Sequence, residues 1–165
     1  MRILLVNKFL YPRGGGETYT MELGDALKSS GHEVQYFGMY DEQNTMLNDW
    51  GIYVSPVDFH KPSLSNLSYP FRIIYSQEAK EKMAALISQY QPDIIHLNNF
   101  NYQLTPSIID AAKEAGVPVI MTAHDSQLVC PNHLLYNPNT DTICMKCVEK
   151  DDPIWCERER CIHKS

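Results

Sequence analysis

The sequence predicts an α/β fold in which a parallel sheet carries helices on both faces. Three observations lead there. Short apolar runs, Ile3-Leu4-Leu5-Val6, Asp93 to Leu97 and Val117 to Met121, alternate with segments of helical periodicity. The first run is apolar throughout, as a strand buried on both faces requires. A glycine-rich turn, Gly14-Gly15-Gly16, joins that run to the first helical segment. Strand, glycine turn and helix in that order is how α/β proteins offer backbone N–H groups to an anionic ligand. The same three glycines also suit a plain tight turn.

Taken in order, Ile3 to Val6 is the first strand. From Glu17 to Ser30, Tyr19, Leu23, Ala26 and Leu27 recur on one helical face, and Gly31 stands where a helix ends in a left-handed residue. Val34 to Phe37 is the second strand, which completes a β-turn-α-β start. Residues 41–68 are rich in Asn, Asp, Ser and Pro and read as loop, with Ile52-Tyr53-Val54 as a short candidate strand. Pro70 to Tyr90 reads as a helix whose apolar face carries Phe71, Ile74, Tyr75, Ala79, Met83, Leu86, Ile87 and Tyr90. After Gln91-Pro92 the strand 93–97 follows. Thr105-Pro106 supplies a cap and a first-turn residue for a helix to Glu114, closed by Gly116. Val117 to Met121 is the last strand.

In such sheets ligands sit beyond the carboxyl ends of the strands. Those ends are residues 7–16, 38–41, 98–102 and 123–127, and they hold most of the polar residues that packing does not explain. On that rim His124, in Thr122-Ala123-His124-Asp125, is the candidate for acid–base or hydroxyl contact, with Asp125 beside it. Asn98 and Asn99 suit a hydroxyl-rich ligand because amides both donate and accept. Tyr11 and Tyr102 suit stacking on a ring. His96, inside an apolar strand, reads as structural.

Composition excludes several classes. A formal net charge of −6 and a pI near 5.4 argue against nucleic acid as a partner. There is no apolar run of about eighteen residues, and the opening run is too short for a signal-peptide core, so a cytoplasmic protein is expected. The glycine turn fails the dinucleotide fingerprint, because Gly-x-Gly-x-x-Gly begun at Gly14 would end on Tyr19. The lysine of a P-loop is also missing, so NAD and ATP are disfavoured.

All five cysteines, Cys130, Cys144, Cys147, Cys156 and Cys161, lie in the last part of the chain. The sequence therefore divides into a cysteine-free body, 1–128, and a cysteine-rich extension, 129–165. Cys144-Met145-Lys146-Cys147 with further cysteines nearby points to structural zinc held by four of the five. Free thiols, or disulfides in an exported chain, are the alternatives.

The body resembles the N-terminal, Rossmann-like half of a GT-B glycosyltransferase of the retaining family 4. The residues that carry the likeness are Met1 to Val6, Pro12-Arg13-Gly14-Gly15-Gly16-Glu17-Thr18, Ser30-Gly31-His32-Glu33-Val34, Pro92 to Asn99 and Pro118 to Asp125, across residues 1 to about 136. The tail after Cys130-Pro131-Asn132 resembles a cysteine-bearing subset of these enzymes. The resemblance implies transfer of a hexose from a nucleotide-sugar to a glycan or lipid-linked saccharide, as in polysaccharide biosynthesis. It implies no cofactor for the chemistry, and it allows peripheral association with the inner face of the membrane. Gly14, Gly15 and Gly16 would approach the donor diphosphate, and His124 would meet the transferred sugar. Asn98, Asn99, Tyr11 and Asp125 are expected around donor and acceptor. Asn98 stands where the family usually has an acceptor-side histidine. The family's second-domain Glu-x7-Glu motif is missing, so the chain is expected to be cut from a longer enzyme and inactive alone. The competing expectation is a standalone Rossmann-like binding module with a zinc-stabilised tail.

Overall fold

The computed structural model describes residues 1–56 and 74–161. These fall into two compact units, Met1–Thr122 and Ala123–Ser165. The division comes six residues before the boundary drawn from composition. The reason is local: Ser126 N–H donates to the His133 carbonyl, and Asp125 lies beside His133, which fastens the 123–127 stretch to the cysteine-bearing segment.

The first unit is built on strands β1 (Arg2–Val6), β2 (Glu33–Phe37), β3 (Ile94–Leu97) and β4 (Val119–Met121). Among the described residues they form one parallel sheet in the order β2-β1-β3-β4. This is the expected Rossmann-like α/β arrangement. Side chains of β1 alternate between its faces. Leu4 and Val6 join one apolar cluster with Met83, Leu86, Ile108 and Ala111, from helices α2 (Gln77–Tyr90) and α3 (Ser107–Glu114). Ile3 and Leu5 join another with Met21, Leu23 and Leu27 of helix α1 (Gly15–Ser29). Helices thus cover both faces. The chain runs from β1 to β2 on one side and then to β3 on the other, so a topological switch point lies between β1 and β3 at their carboxyl ends.

Helix ends follow the sequence where glycine sets them. Gly31 has φ +83° after α1, and Gly116 has φ +70° after α3. In each case the N–H two residues past the cap reaches back across the last turn, His32 to Leu27 and Val117 to Ala112.

Several boundaries differ from the expectation. Helix α1 starts at Gly15, not Glu17, so Gly15 and Gly16 are its first turn. Tyr19 is exposed, while Thr20 and Gly24 are buried; Gly24 leaves room for the Tyr36 ring, which a Cβ would strike. Helix α2 begins after Ser76, whose hydroxyl accepts from Ala79 N–H at 3.2 Å. Ile74 and Tyr75 are exposed, and Pro70 and Phe71 lie outside the described residues. Thr105 does not cap α3. It has φ +57°, and its hydroxyl accepts from Ser76 N–H and pairs with Ser107, joining the starts of α2 and α3. Residues 52–54 give only a parallel bridge, Met39 to Val54. In β4, Ile120 and Met121 are exposed, because among the described residues β4 pairs with β3 alone and forms the sheet edge.

The second unit contains the two-stranded hairpin β5 (Tyr136–Asn137) and β6 (Thr142–Ile143). Two short helices follow, α4 (Lys146–Glu149) and α5 (Ile154–Arg158). Among the described residues no helix is long and apolar enough to cross a membrane.

Candidate functional site

At the switch point the centre of the network is Asn7, fully buried directly after β1. Its N–H donates to the Phe37 carbonyl, and its Oδ1 accepts from Asn99 N–H at 3.0 Å. Its Nδ2 donates to the Phe9 carbonyl at 2.7 Å and to Glu17 Oε1 at 3.2 Å. One side chain therefore ties the loop after β1, the loop after β3 and the first turn of α1. A buried amide with donors and acceptor matched in this way holds the rim rigid. Gly38 completes the arrangement: a Cβ there would run into the Asn7 carbonyl oxygen and sit 2.8 Å from Leu10 Cγ.

The glycine turn leads straight into this network. Gly14 is extended at φ −160° and serves as the N-cap of α1 without a side-chain hydrogen bond. The first turn of any helix leaves N–H groups with no partner inside the helix, and the helix dipole makes that end positive. Around Gly15 the space is open: apart from its chain neighbours and the helix's own backbone, no atom lies within 4 Å of where a Cβ would stand. The Glu17 carboxylate, buried, lies beside Gly14, with one oxygen 3.3 Å from the position of a Gly14 Cβ.

Two cations flank the turn. Lys8 Nζ and the Arg13 guanidinium both sit over the Phe9 ring, 4.5 Å and 4.1 Å from its centroid. Burial pushes the Lys8 ammonium below its usual range; Arg13 adds to this and Glu17 opposes it. An anion arriving here would relieve the repulsion between the two cations. Tyr11 is half-buried, its ring 5.8 Å from that of Phe9.

The neighbouring asparagines play different parts. Asn98 is buried, and both its N–H and its Nδ2 donate to the Val6 carbonyl. Asn99 is half-buried, and its carbonyl accepts from Lys8 N–H. Of the pair, Asn99 has the surface to offer. His96 is half-buried with Nε2 2.8 Å from Thr122 Oγ1, and Tyr19 reaches the same hydroxyl at 3.4 Å. Tyr102 is exposed with φ +73°.

Sequence reasoning placed Asn7 and Lys8 on the rim and Glu17 at the start of the helix after the glycines, but gave none of the three a role of its own. The only available signal was polar residues set immediately after an apolar strand and in the first turn of the next helix.

His124 and Asp125 belong to the second unit, and both are exposed. Asp125 Oδ1 accepts from Gln127 N–H at 2.8 Å, and Oδ2 lies 3.4 Å from His133 Nδ1. The five cysteines are unpaired thiols. Cys147, Cys156 and Cys161 are buried in one cluster with Trp155 against it. Burial pushes the Cys156 thiol up to about 12 and raises that of Cys161. Cys130 is buried too, and its Sγ donates to Asn132 Oδ1 at 2.9 Å.

Fold and rim together define an α/β domain whose switch point carries two cations beside a helix N-terminus. The chain belongs to Glycosyltransferase Family 4, whose pattern matches residues 13–142. It is 25% identical over 158 residues to an "Uncharacterized 42.6 kDa protein in cps region" of Klebsiella pneumoniae, covering 86% of this chain and 41% of that protein. It is 29% identical over 140 residues to a UDP-N-acetylglucosamine--N-acetylmuramyl-(pentapeptide) pyrophosphoryl-undecaprenol N-acetylglucosamine transferase of Lachnospira eligens, covering 79% and 38%. The chain thus spans about two-fifths of the length of these curated relatives. Among solved structures it is similar to glycosyltransferase VinC in complex with dTDP, at 18% identity and a TM-score of 0.46, over 73% of this chain and 34% of that one.

Proposed function

We propose that this chain is the acceptor-side domain of a retaining hexosyltransferase, which transfers a sugar from a nucleotide-sugar to a glycan or lipid-linked saccharide. Family membership supports transfer. The observation that carries the assignment of the site is the open first turn of α1 at Gly15, held by Asn7 through Glu17 beside the cations Lys8 and Arg13. In this reading Gly14, Gly15 and Gly16 present backbone N–H groups to the donor diphosphate, while Lys8 and Arg13 supply positive field. Asn99 and Tyr11 border the sugar-bearing ligands, with Asn98 fixing the backbone behind them. His124 contacts the transferred sugar, and Asp125 holds the loop that presents it. A second domain of the longer protein binds most of the nucleotide.

The test is transfer from a panel of nucleotide-sugars by the full-length protein and by the 165-residue chain. Turnover by the full-length protein alone is expected, with the product keeping the anomeric configuration of the donor. Inversion at the anomeric carbon refutes the retaining assignment, and robust transfer by the 165-residue chain refutes the division of labour. No transfer from any donor, with a well-folded full-length protein, favours a binding module instead. His124→Ala should cut turnover at least tenfold without lowering the unfolding midpoint; an equal loss of folding makes His124 structural.

A further inference from the structure

The second unit poses a problem of stability. Its buried apolar side chains, among the described residues, are Cys130, Cys147, Cys156 and Cys161, with no buried Leu, Ile, Val or Phe. A unit of about forty residues rarely folds on burial alone and usually needs a disulfide or a metal. This one also holds Leu135, Asp151 and Arg160 in the left-handed region, each a conformation that costs on the order of 1 kcal/mol. Something other than apolar packing has to hold it together.

Backbone geometry brings three of the thiols, Cys147, Cys156 and Cys161, into one buried cluster. Both short helices end in the same capping motif: Asp152 N–H reaches back to the Cys147 carbonyl at 3.1 Å, and Cys161 N–H to the Cys156 carbonyl at 3.0 Å. Trp155 packs against that cluster. Cys144 opens the Cys-x-x-Cys turn into α4, its N–H bonded to the Leu135 carbonyl at 2.8 Å. Lys146, inside that turn, pairs with Glu159 at 2.6 Å, which ties the first cysteine pair to the helix bearing the second. Asn137 and Asn139 donate to the Glu159 and Arg160 carbonyls and bind the hairpin to the same helix end.

We propose that Cys144, Cys147, Cys156 and Cys161 hold one structural zinc ion, with Cys130 left out. Two close-spaced cysteine pairs, each with a sulfur on a turn or helix end, match the way four thiolates close a tetrahedron around zinc. Among the described residues no three metal-ligating side chains are already arranged to hold an ion. The site therefore closes on the metal. Four thiols release four protons to solvent as four Zn–S bonds form. Lys146 lies between Cys144 and Cys147 in sequence, where a cation offsets part of the negative charge of the thiolates. Cys130 has its own partner in Asn132 Oδ1.

The test is metal analysis of the 165-residue chain purified without added zinc, where about one zinc per chain is expected. Cys144→Ser and Cys156→Ser should each lower zinc content at least fivefold, and Cys130→Ser should leave it unchanged. A second measurement does not depend on how the variants fold: Co2+ added to the chelated wild-type chain should give the thiolate charge-transfer and visible bands of a tetrahedral sulfur site. Zinc-free protein with all thiols reactive, a mass lower by two or four hydrogens as disulfides require, or zinc lost in Cys130→Ser but kept in Cys144→Ser would each overturn the assignment.

Discussion

Gly15→Ala separates folding from ligand approach at the glycine turn. Gly15 is the first residue of α1, and apart from its chain neighbours and the helix's own backbone nothing lies within 4 Å of the added methyl. Alanine is favoured over glycine by about 1 kcal/mol inside a helix, and it also restricts the unfolded chain, worth about 0.4–1 kcal/mol. At the first turn only part of this is realised, so the variant should gain between about 0 and 1 kcal/mol. For a chain of this size that moves the midpoint up by roughly 0–4 °C. The same methyl would stand over the first N–H groups of α1, where the donor diphosphate is proposed to sit. Transfer by the full-length enzyme should then fall at least tenfold, equivalent to about 1.4 kcal/mol of lost stabilisation.

Gly38→Ala is the contrasting control. Its methyl would collide with the Asn7 carbonyl oxygen and press on Leu10 Cγ from 2.8 Å, and the backbone cannot yield as a flexible side chain would. Overpacking of this kind costs about 1–3 kcal/mol. Urea unfolding of both variants in the 165-residue chain, with transfer measured in the full-length protein, completes the comparison. A Gly15→Ala variant that is less stable by more than about 1 kcal/mol would show that the turn has no room for the methyl, and one that transfers at the wild-type rate would show that the turn has no ligand to meet.

Tyr90→Phe removes a hydroxyl that donates to the Glu33 carbonyl at 2.8 Å and accepts from Ile3 N–H at 3.1 Å, and urea unfolding should show a loss of about 1–3 kcal/mol. Burial pushes the Tyr90 phenol up to about 12 from an ordinary 10, with Glu33 and Asp93 adding to the shift. Its contribution is therefore complete below pH 10 and lost as the pH rises towards 12, so the stability of Tyr90→Phe should fall less than that of the wild type across that window. Ser76→Ala removes the cap of α2 and should cost about 1 kcal/mol by the same measurement, while Ser76→Thr retains most of the stability. No loss in Ser76→Ala would mean that packing alone sets the start of α2.

Local features were legible in the sequence because local forces set them. The apolar run of β1, the alternation of β2 and the terminating Gly31 and Gly116 each depend on a few adjacent residues. Thr105 misled because a threonine before a helical pattern fits a cap, whereas here its hydroxyl serves Ser76, distant in sequence. Asn98 and Asn99 read as equals, yet the first is buried at the end of β3 and the second is not. The Asn7–Glu17 contact could not be read either. It exists only because the first turn of α1 comes back over the end of β1, with glycines letting the backbone approach. Of the site, the glycines and the rim were legible in the sequence, and the contacts by which Asn7 fixes them were not.

A chain-wide hydrophobic content of 44% looks ordinary, but it averages over two units held by different means. Met1–Thr122 carries buried Leu, Ile, Val, Phe and Met on both faces of its sheet. In the described part of Ala123–Ser165, Leu128, Val129, Leu134, Ile143 and Ile154 are exposed, and the buried apolar side chains are cysteines. Apolar residues that stay outside cannot hold a fold together, whatever they add to the average. The clustering of cysteines after position 129 was therefore the more telling feature of composition, because it marked where the buried apolar side chains change from Leu, Ile, Val and Phe to cysteine.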